Sequence, residues 1–365
     1  MTLTETNTRK SDHLRICLEE NVQASSVDTG LKDVHLVHRA LPEVAMEDVS
    51  LVTEVFGRRL SAPIIIEAMT GGVDMATGIN ASLAEAAEAL DLAMGVGSQR
   101  AALEDPRLAP TFKIVRRKAP HAFLIANLGA PQLREYGLTE VRQAIDMIEA
   151  DALAIHFNPL QEAIQPEGSP HYDGLLDQVE ELAAALAIPL IVKETGSGIA
   201  WEDARLLEGV GVKGIDVAGA GGTSWAAVEA CRAQARGNRP LARLGETFRD
   251  WGLPTAISVV EVSQSVDLAV IASGGLRSGV DAAKAIAIGA DAAGYAFHLL
   301  KPAVEGRARE VLEEVLQELK TTMFLVGAKS IDELKTAPAI IVGTTAQWLE
   351  ARGFHPETFA RRRRP

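Results

Sequence analysis

A chain of 365 residues has room for one large domain or two of average size, and at 47% hydrophobic but only 4% aromatic it points to an α/β protein packed by small and branched aliphatics. A formal net charge of −13 excludes nonspecific binding to nucleic acid or to an anionic membrane surface, so any phosphate-bearing ligand must be held by local groups. Cys17 and Cys231 are the only cysteines, which excludes a disulfide framework and a cysteine-based zinc site.

The N-terminal MTLTETNTRKSDHLR lacks the apolar core of a signal peptide, and no apolar run approaches the ~20 residues that span a bilayer, so a soluble, cytoplasmic protein is expected. Up to about Leu60 there is no repeating unit. Arg9, Lys10 and His13 form a basic group, a short helix is followed by the polar stretch NVQASSVDTG, and HLVHRALP with VSLVTEVFG suggests a lid or hairpin over something larger. We therefore read residues 1–60 as an N-terminal arm and lid segment and residues 61–365 as the main body.

From Ala62 a rhythm begins. Strand-length apolar runs appear at Pro63–Ala68, Leu92–Val96, Ala122–Leu128, Ala152–Phe157, Pro189–Glu194, Gly214–Ala220, Leu268–Ser273 and Ala292–Phe297. Alanine-rich helical patterns such as NASLAEAAEALD and GVDAAKAIAIGAD separate them. Eight strand–helix units, most of them roughly 25 to 35 residues apart, match a (β/α)₈ barrel better than a doubly wound open sheet. The final segment, with a helix around Glu305–Met323, is expected outside the barrel, and Arg361 to Arg364 as a solvated tail.

Barrel chemistry sits at the C-terminal ends of the strands, which here read AMTGG, GVGSQR, ANLG, HFNPLQE, VKETGSG, AGAGGTSW, SGGLRSG and GYAFHLLKP. These are small or polar residues, an open pocket mouth lined by backbone groups. SGGLRSG, with Gly274, Gly275 and Arg277 leading into a helix, is a ready phosphate site, and Thr223 in AGAGGTSW adds a donor. GVGSQR has Arg100 where a dinucleotide fingerprint needs its third glycine, which rules that motif out.

Within Asp151–Gly168, period-two alternation puts His156 and Asn158 on one face and Leu153, Ile155 and Phe157 on the other. The loop that follows carries Gln161, Glu162, Gln165 and Glu167. Lys193 shares a face with Ile191 and Thr195 that points into the barrel, where a lysine must meet an anion or an electron-rich ring, or act as a Schiff-base nucleophile. Glu162 can hold a divalent cation together with ligand phosphate oxygens, or be a surface carboxylate.

RKSDH, AMTGG, GSQR, HFNPLQEAIQPEG, VKETGSG and AGAGGTSW, in that order from Arg9 onward, resemble the type 2 isopentenyl-diphosphate Δ-isomerases, while SGGLRSG marks the wider group of FMN-binding barrels. The resemblance implies interconversion of isopentenyl and dimethylallyl diphosphate with reduced FMN, Mg²⁺ and NAD(P)H as reductant. It implies FMN on Ala68, Met69, Thr70, Ser98, Asn127, Lys193 and Thr223, its phosphate on Gly274, Gly275 and Arg277, and Ala296 and Phe297 nearby. The substrate diphosphate falls to Arg9, Lys10, Ser98, Gln99, Arg100, His156 and Asn158, with Gln161 at the reacting end and Glu162 on Mg²⁺. Gln161 and His156 are the catalytic candidates, and a homo-oligomer, tetramer or octamer, is expected. An FMN-dependent 2-hydroxyacid oxidase is the alternative, but those enzymes carry a His and a Gly-Gly-Arg after the sixth strand, where AGAGGTSW has neither His nor Arg.

Overall fold

Eight short parallel strands close into a barrel: β1 (Ile64–Ile66), β2 (Ala93–Gly95), β3 (Leu124–Gly129), β4 (Ala152–His156), β5 (Leu190–Lys193), β6 (Gly214–Asp216), β7 (Ala269–Ala272) and β8 (Ala292–Tyr295), each hydrogen-bonded to the next and β8 to β1. The architecture comes from a computed structural model, which describes residues 3–362 and the side chains from Thr8 onward. All eight strands coincide with the runs read from the sequence.

The pleat decides what faces where. Ile65, Ala93, Ile125, Ala152, Ala154, Ile191, Ile271 and Ala292 fill the barrel interior, while Ile64, Ile66, Leu153, Ile155 and Val192 pack outward against the helix ring. Small alanines alternating with isoleucines let the interior layers interdigitate. The register sets His156 beside Lys193 and Lys193 beside Asp216, so three neighbouring strands end abreast in polar side chains.

The hairpin expected in VSLVTEVFG forms, Thr53–Val55 against Arg58–Leu60, but it is not a lid over the site. Val55, Phe56 and Leu60 pack with the interior residues at the starts of the strands, and Phe56 stacks on Phe123 at 6.2 Å. It plugs the N-terminal end of the barrel, opposite the strand ends that carry the chemistry, because its apolar face has nowhere else to be buried. Val34–Leu36 pairs with Ala339–Ile341, which ties the first sixty residues to the C-terminal segment.

The part of the arm that covers the strand ends is a helix, Leu3–Glu19, packed on helix Trp225–Ala235. The C-terminal helix runs over Ala308–Val326, outside the barrel as expected. The tail corrects one expectation. Arg361 is exposed, but Arg362 Nη1 donates to the carbonyls of Ala287 (2.6 Å) and Lys335 (2.7 Å), anchoring rather than solvating it. Arg363 and Arg364 lie outside the described residues. Among the described residues no helix is long and apolar enough to cross a membrane.

Candidate active site

A cavity of about 270 Å³ opens at the C-terminal ends of the strands. Its lining brings together Ala68, Met69, Thr70, Ser98, Asn127, Lys193, Thr223, Gly274, Gly275, Arg277, Ala296 and Phe297 with Arg9, Lys10, Arg100, His156, Asn158, Gln161 and Glu162. Gln99 is not among them. Its side chain is fully buried in the wall, donating to Ala144 O at 2.7 Å and accepting from the Asn127 N–H at 3.0 Å. Gln99, expected at the substrate diphosphate, has its side-chain amide turned away from the cavity and bracing β3 against the helix outside it.

The floor is an ionic cluster. Lys193 Nζ lies 2.9 Å from Asp216 and 3.6 Å from Glu67 and donates to Glu194 O at 2.9 Å, while Ser273 Oγ donates to Asp216 at 2.5 Å. Burial opposes the lysine charge, but Asp216 and Glu67 outweigh it and hold Lys193 above the ordinary lysine range. With its ammonium engaged by two carboxylates and a carbonyl, Lys193 is set up as an ionic group, which disfavours the Schiff-base alternative. Burial, then the Asp216 charge, raises the Glu67 carboxyl, so the cluster presents an ammonium and not a full excess of carboxylate to the cavity.

One end of the cavity is built from backbone. Gly274 sits at φ +99°, and a Cβ there would lie 2.2 Å from Gly219 O, so only glycine lets the turns after β6 and β7 touch. Arg277 follows immediately, before the helix Gly279–Ala287 whose N-cap is Ser278. A glycine turn, an arginine and a helix start make an anion site, and with the Lys193 ammonium beneath a broad cavity they fit a phosphate-bearing flavin.

At the other end, the helix Leu3–Glu19 supplies Arg9, Lys10 and His13, with Arg9 and His13 one turn apart on the same face. Lys10 Nζ donates to Gly71 O (2.7 Å) and Ser98 O (2.8 Å), and burial followed by the Arg9 charge pushes its pKa down to about 7. Arg9 Nε is buried without a partner among the described residues. Arg100 is braced by Glu104 at 2.6 Å. These cations converge where a diphosphate would need them against the acidic whole.

His156 Nδ1 meets Asn127 Oδ1 at 2.8 Å, and Asn127 Nδ2 is committed to Val96 O, so the histidine donates in this pair. Burial, with Lys193, Lys10 and Arg9 nearby, pushes its pKa down to about 3. The ring is thereby held in its neutral form, with its Nδ1–H given to Asn127.

The loop after β4 folds into the short helix Pro159–Ile164. Asn158 Nδ2 donates to Gln161 Oε1 and to Glu162 Oε1, both at 3.1 Å, and Tyr172 OH donates to Asn158 Oδ1 at 3.1 Å. Gln161 Nε2 in turn donates to Glu229 Oε1 at 3.1 Å. Glu229 also receives His13 Nε2 at 2.8 Å and Arg232 Nη1 at 3.0 Å. Although burial opposes ionisation, these donors hold its carboxyl down to about 2. Burial likewise pulls His13 below its ordinary value despite the hydrogen bond and charge of Glu229. Glu67, Asp216 and Glu229 escaped the reading of the sequence, and His13 entered it only as one of a basic group. Glu67 and Asp216 were visible as acids two residues on from Ile65 and Gly214 on inward-facing positions, but Glu229 had no signal, being one polar residue in an alanine-rich helix.

Glu162 accepts Ser169 N at 2.7 Å through its second oxygen. Among the described residues no group of three or more His, Cys, Asp and Glu side chains gathers. A divalent cation here would be held by one carboxylate and by ligand oxygens, which is how Mg²⁺ is commonly bound.

Barrel and site together define an FMN-binding (β/α)₈ protein. A sequence model described as FMN-dependent dehydrogenase matches residues 133–341. Solved structures with the same fold include a lactate oxidase from Pediococcus acidilactici (TM-score 0.65, 16% identity, 93% of this chain and 94% of that one) and a mandelate oxidase variant with a monooxide FMN adduct (TM-score 0.61, 20% identity, 86% and 90%). At such identities the likeness is one of fold. Sequence relatives are far nearer: the isopentenyl-diphosphate delta-isomerase of Methanosarcina barkeri is 48% identical over 360 residues, covering 98% of both chains, and that of Methanoregula boonei is 52% identical over 351 residues, covering 94% and 96%. The chain belongs to the isopentenyl-diphosphate delta-isomerase family, in its FMN-dependent, type 2 form.

Proposed function

We propose that this protein interconverts isopentenyl diphosphate and dimethylallyl diphosphate using reduced FMN and Mg²⁺, with NAD(P)H keeping the flavin reduced. The observation that carries the reading is one cavity whose lining holds two sets of cations, Arg277 beside the glycine turns and Arg9, Lys10 and Arg100 together, along with Gln161 and the Lys193 ammonium. That arrangement suits one phosphate-bearing flavin and one diphosphate substrate. The 2-hydroxyacid oxidase alternative finds neither a histidine nor an arginine in AGAGGTSW.

The isomerisation adds a proton at carbon 4 of an unactivated alkene and removes one from carbon 2, with no net redox change. Reduced FMN, when bound, supplies the proton-transfer and cation-stabilising chemistry that no ordinary side chain offers an alkene. The chain's own residues bind and orient. Arg9, Lys10 and Arg100, with Ser98 beside them in the lining, would neutralise the diphosphate, and Glu162 would hold the Mg²⁺ that supplies further positive charge to it. Asn158 and Glu229 grip the Gln161 amide from opposite sides and fix its position at the reacting end. Glu229 accepts from the Gln161 amide and so positions it. Lys193, an ammonium lining the cavity, would stabilise negative charge on a reduced flavin bound there.

The enzyme is further proposed to act in the cytoplasm as a homo-oligomer, tetramer or octamer. The free thiols of Cys17 and Cys231 support the first, and the exposed apolar side chains of Leu41, Leu206 and Trp251 the second. The functional test is an anaerobic assay with FMN, Mg²⁺ and isopentenyl diphosphate, with and without dithionite. Conversion should require the reductant; conversion by oxidised or flavin-free protein would refute the flavin role.

A further inference from the structure

The polar stretch NVQASSVDTG, residues 21–30, takes no part in the chemistry above, yet it is fastened along the glycine-rich end of the cavity. Ser224 N donates to Val22 O (2.8 Å) and Ala24 N to Gly222 O (2.9 Å), so residues 22–24 run antiparallel beside Gly222–Ser224. From outside, Arg249 Nη1 donates to Asn21 O (3.2 Å) and Gln23 O (3.1 Å). Asp250 accepts from the backbone N–H and the hydroxyl of both Ser25 and Ser26, at 2.6 to 3.1 Å.

Gln23 alone of this stretch lines the cavity. Its Oε1 accepts from Arg277 Nη2 at 2.7 Å and its Nε2 donates to Thr223 Oγ1 at 3.4 Å. A guanidinium has only donors, which fixes the amide oxygen toward Arg277 and the NH₂ toward Thr223. The consequence is directional. Arg277 spends one N–H and keeps the rest, while the Thr223 oxygen, already receiving a hydrogen bond, keeps its own O–H for another acceptor.

We propose that Gln23 is a positioning residue for the phosphate of FMN, locking the Arg277 guanidinium and turning the Thr223 hydroxyl toward one shared anionic acceptor. The proposal rests on placing that phosphate at Gly274, Gly275 and Arg277. Riboflavin, which is FMN without the phosphate, separates this role from general support of the fold. Flavin-free full-length protein is titrated with each ligand, following flavin fluorescence.

Gln23→Met should weaken FMN binding by about ten-fold, the scale of one charge-assisted contact, and leave riboflavin binding within about two-fold. Gln23→Glu should weaken FMN further, because its two acceptor oxygens draw in the Thr223 O–H and its charge opposes the phosphate, again with riboflavin unmoved. Equal losses for both ligands, or no loss for either, would overturn the proposal and leave the stretch a structural strap. Arg277→Met tests the underlying placement. If it leaves the preference of FMN over riboflavin intact, or if the unaltered protein shows no such preference, the phosphate lies elsewhere and the role of Gln23 falls with it.

Discussion

Gln161 and Glu229, 68 residues apart in the chain, meet in a hydrogen bond of 3.1 Å from the amide Nε2 to the carboxylate Oε1. The same carboxylate takes His13 and Arg232, so three donors from three helices converge on one buried group. Replacing it with an amide leaves one acceptor oxygen for three donors and turns an NH₂ toward groups that are themselves donors. Glu229→Gln should lower kcat by about 10²-fold through misplacement of Gln161, with FMN affinity unchanged. Steady-state kinetics with a flavin titration checks both halves.

The same carboxylate carries a pH signature. Its pKa is held down to about 2, below the ordinary glutamate value of about 4.3, so its ionised form stabilises the fold fully above that ordinary value and loses its contribution as pH falls toward 2. The stability gap between the unaltered protein and Glu229→Gln should therefore be widest near neutrality and close between about pH 4.5 and 2. Denaturant unfolding across that range measures it, and a gap that grew on acidification would contradict the assignment.

Lys193 balances Asp216 and Glu67 in the barrel floor. Lys193→Met removes the cation and leaves two buried acids facing each other, a loss on the order of 3–5 kcal/mol. Acid can relieve it by protonating them, so the deficit should be larger at pH 8 than at pH 5. Thermal melts at the two pH values decide this, alongside FMN binding, which should also weaken.

Of the residues proposed to hold the diphosphate, Lys10 is the one poised to titrate, its pKa pushed down to about 7 by burial and then by Arg9. Its charge is present below that value and lost above it. Binding of isopentenyl diphosphate to the oxidised holoenzyme should therefore weaken as pH rises from 6 to 8. Lys10→Arg, charged throughout, should flatten that slope in calorimetric titrations. His156, already neutral with its pKa pushed down to about 3, should contribute nothing to it.

If Glu162 holds Mg²⁺ as proposed, with no second cluster of acids or histidines among the described residues to share it, Glu162→Gln should raise the Mg²⁺ concentration needed for half-maximal activity by about ten-fold or more while leaving FMN bound. An unchanged Mg²⁺ requirement would place the metal elsewhere.

The barrel was legible because each strand writes its own signature, a short apolar run with period two, and because eight of them recur at crossover spacing. The site was legible wherever a residue sits at a strand end. There the fold alone decides its destination, as for His156, Lys193 and Arg277. It was not legible where tertiary packing chooses between two uses of the same side chain. Gln99 stands beside Ser98 and Arg100 in sequence but turns into the wall toward Ala144. Phe56 looks like part of a lid until the vacant N-terminal mouth of the barrel claims it beside Phe123. Glu229 reads as one solvent-facing acid of a helix, and only the arrival of the helix Leu3–Glu19 and the loop after β4 buries it among donors.

The central claim is that the site moves a proton on and off an alkene with no net oxidation. Its most direct test is turnover of isopentenyl diphosphate in heavy water under anaerobic conditions with reduced FMN and Mg²⁺, read by proton NMR. Dimethylallyl diphosphate should carry deuterium in its newly formed methyl group, with no stoichiometric oxidation of the flavin. Product without deuterium there, or product formed in step with flavin oxidation, would contradict it.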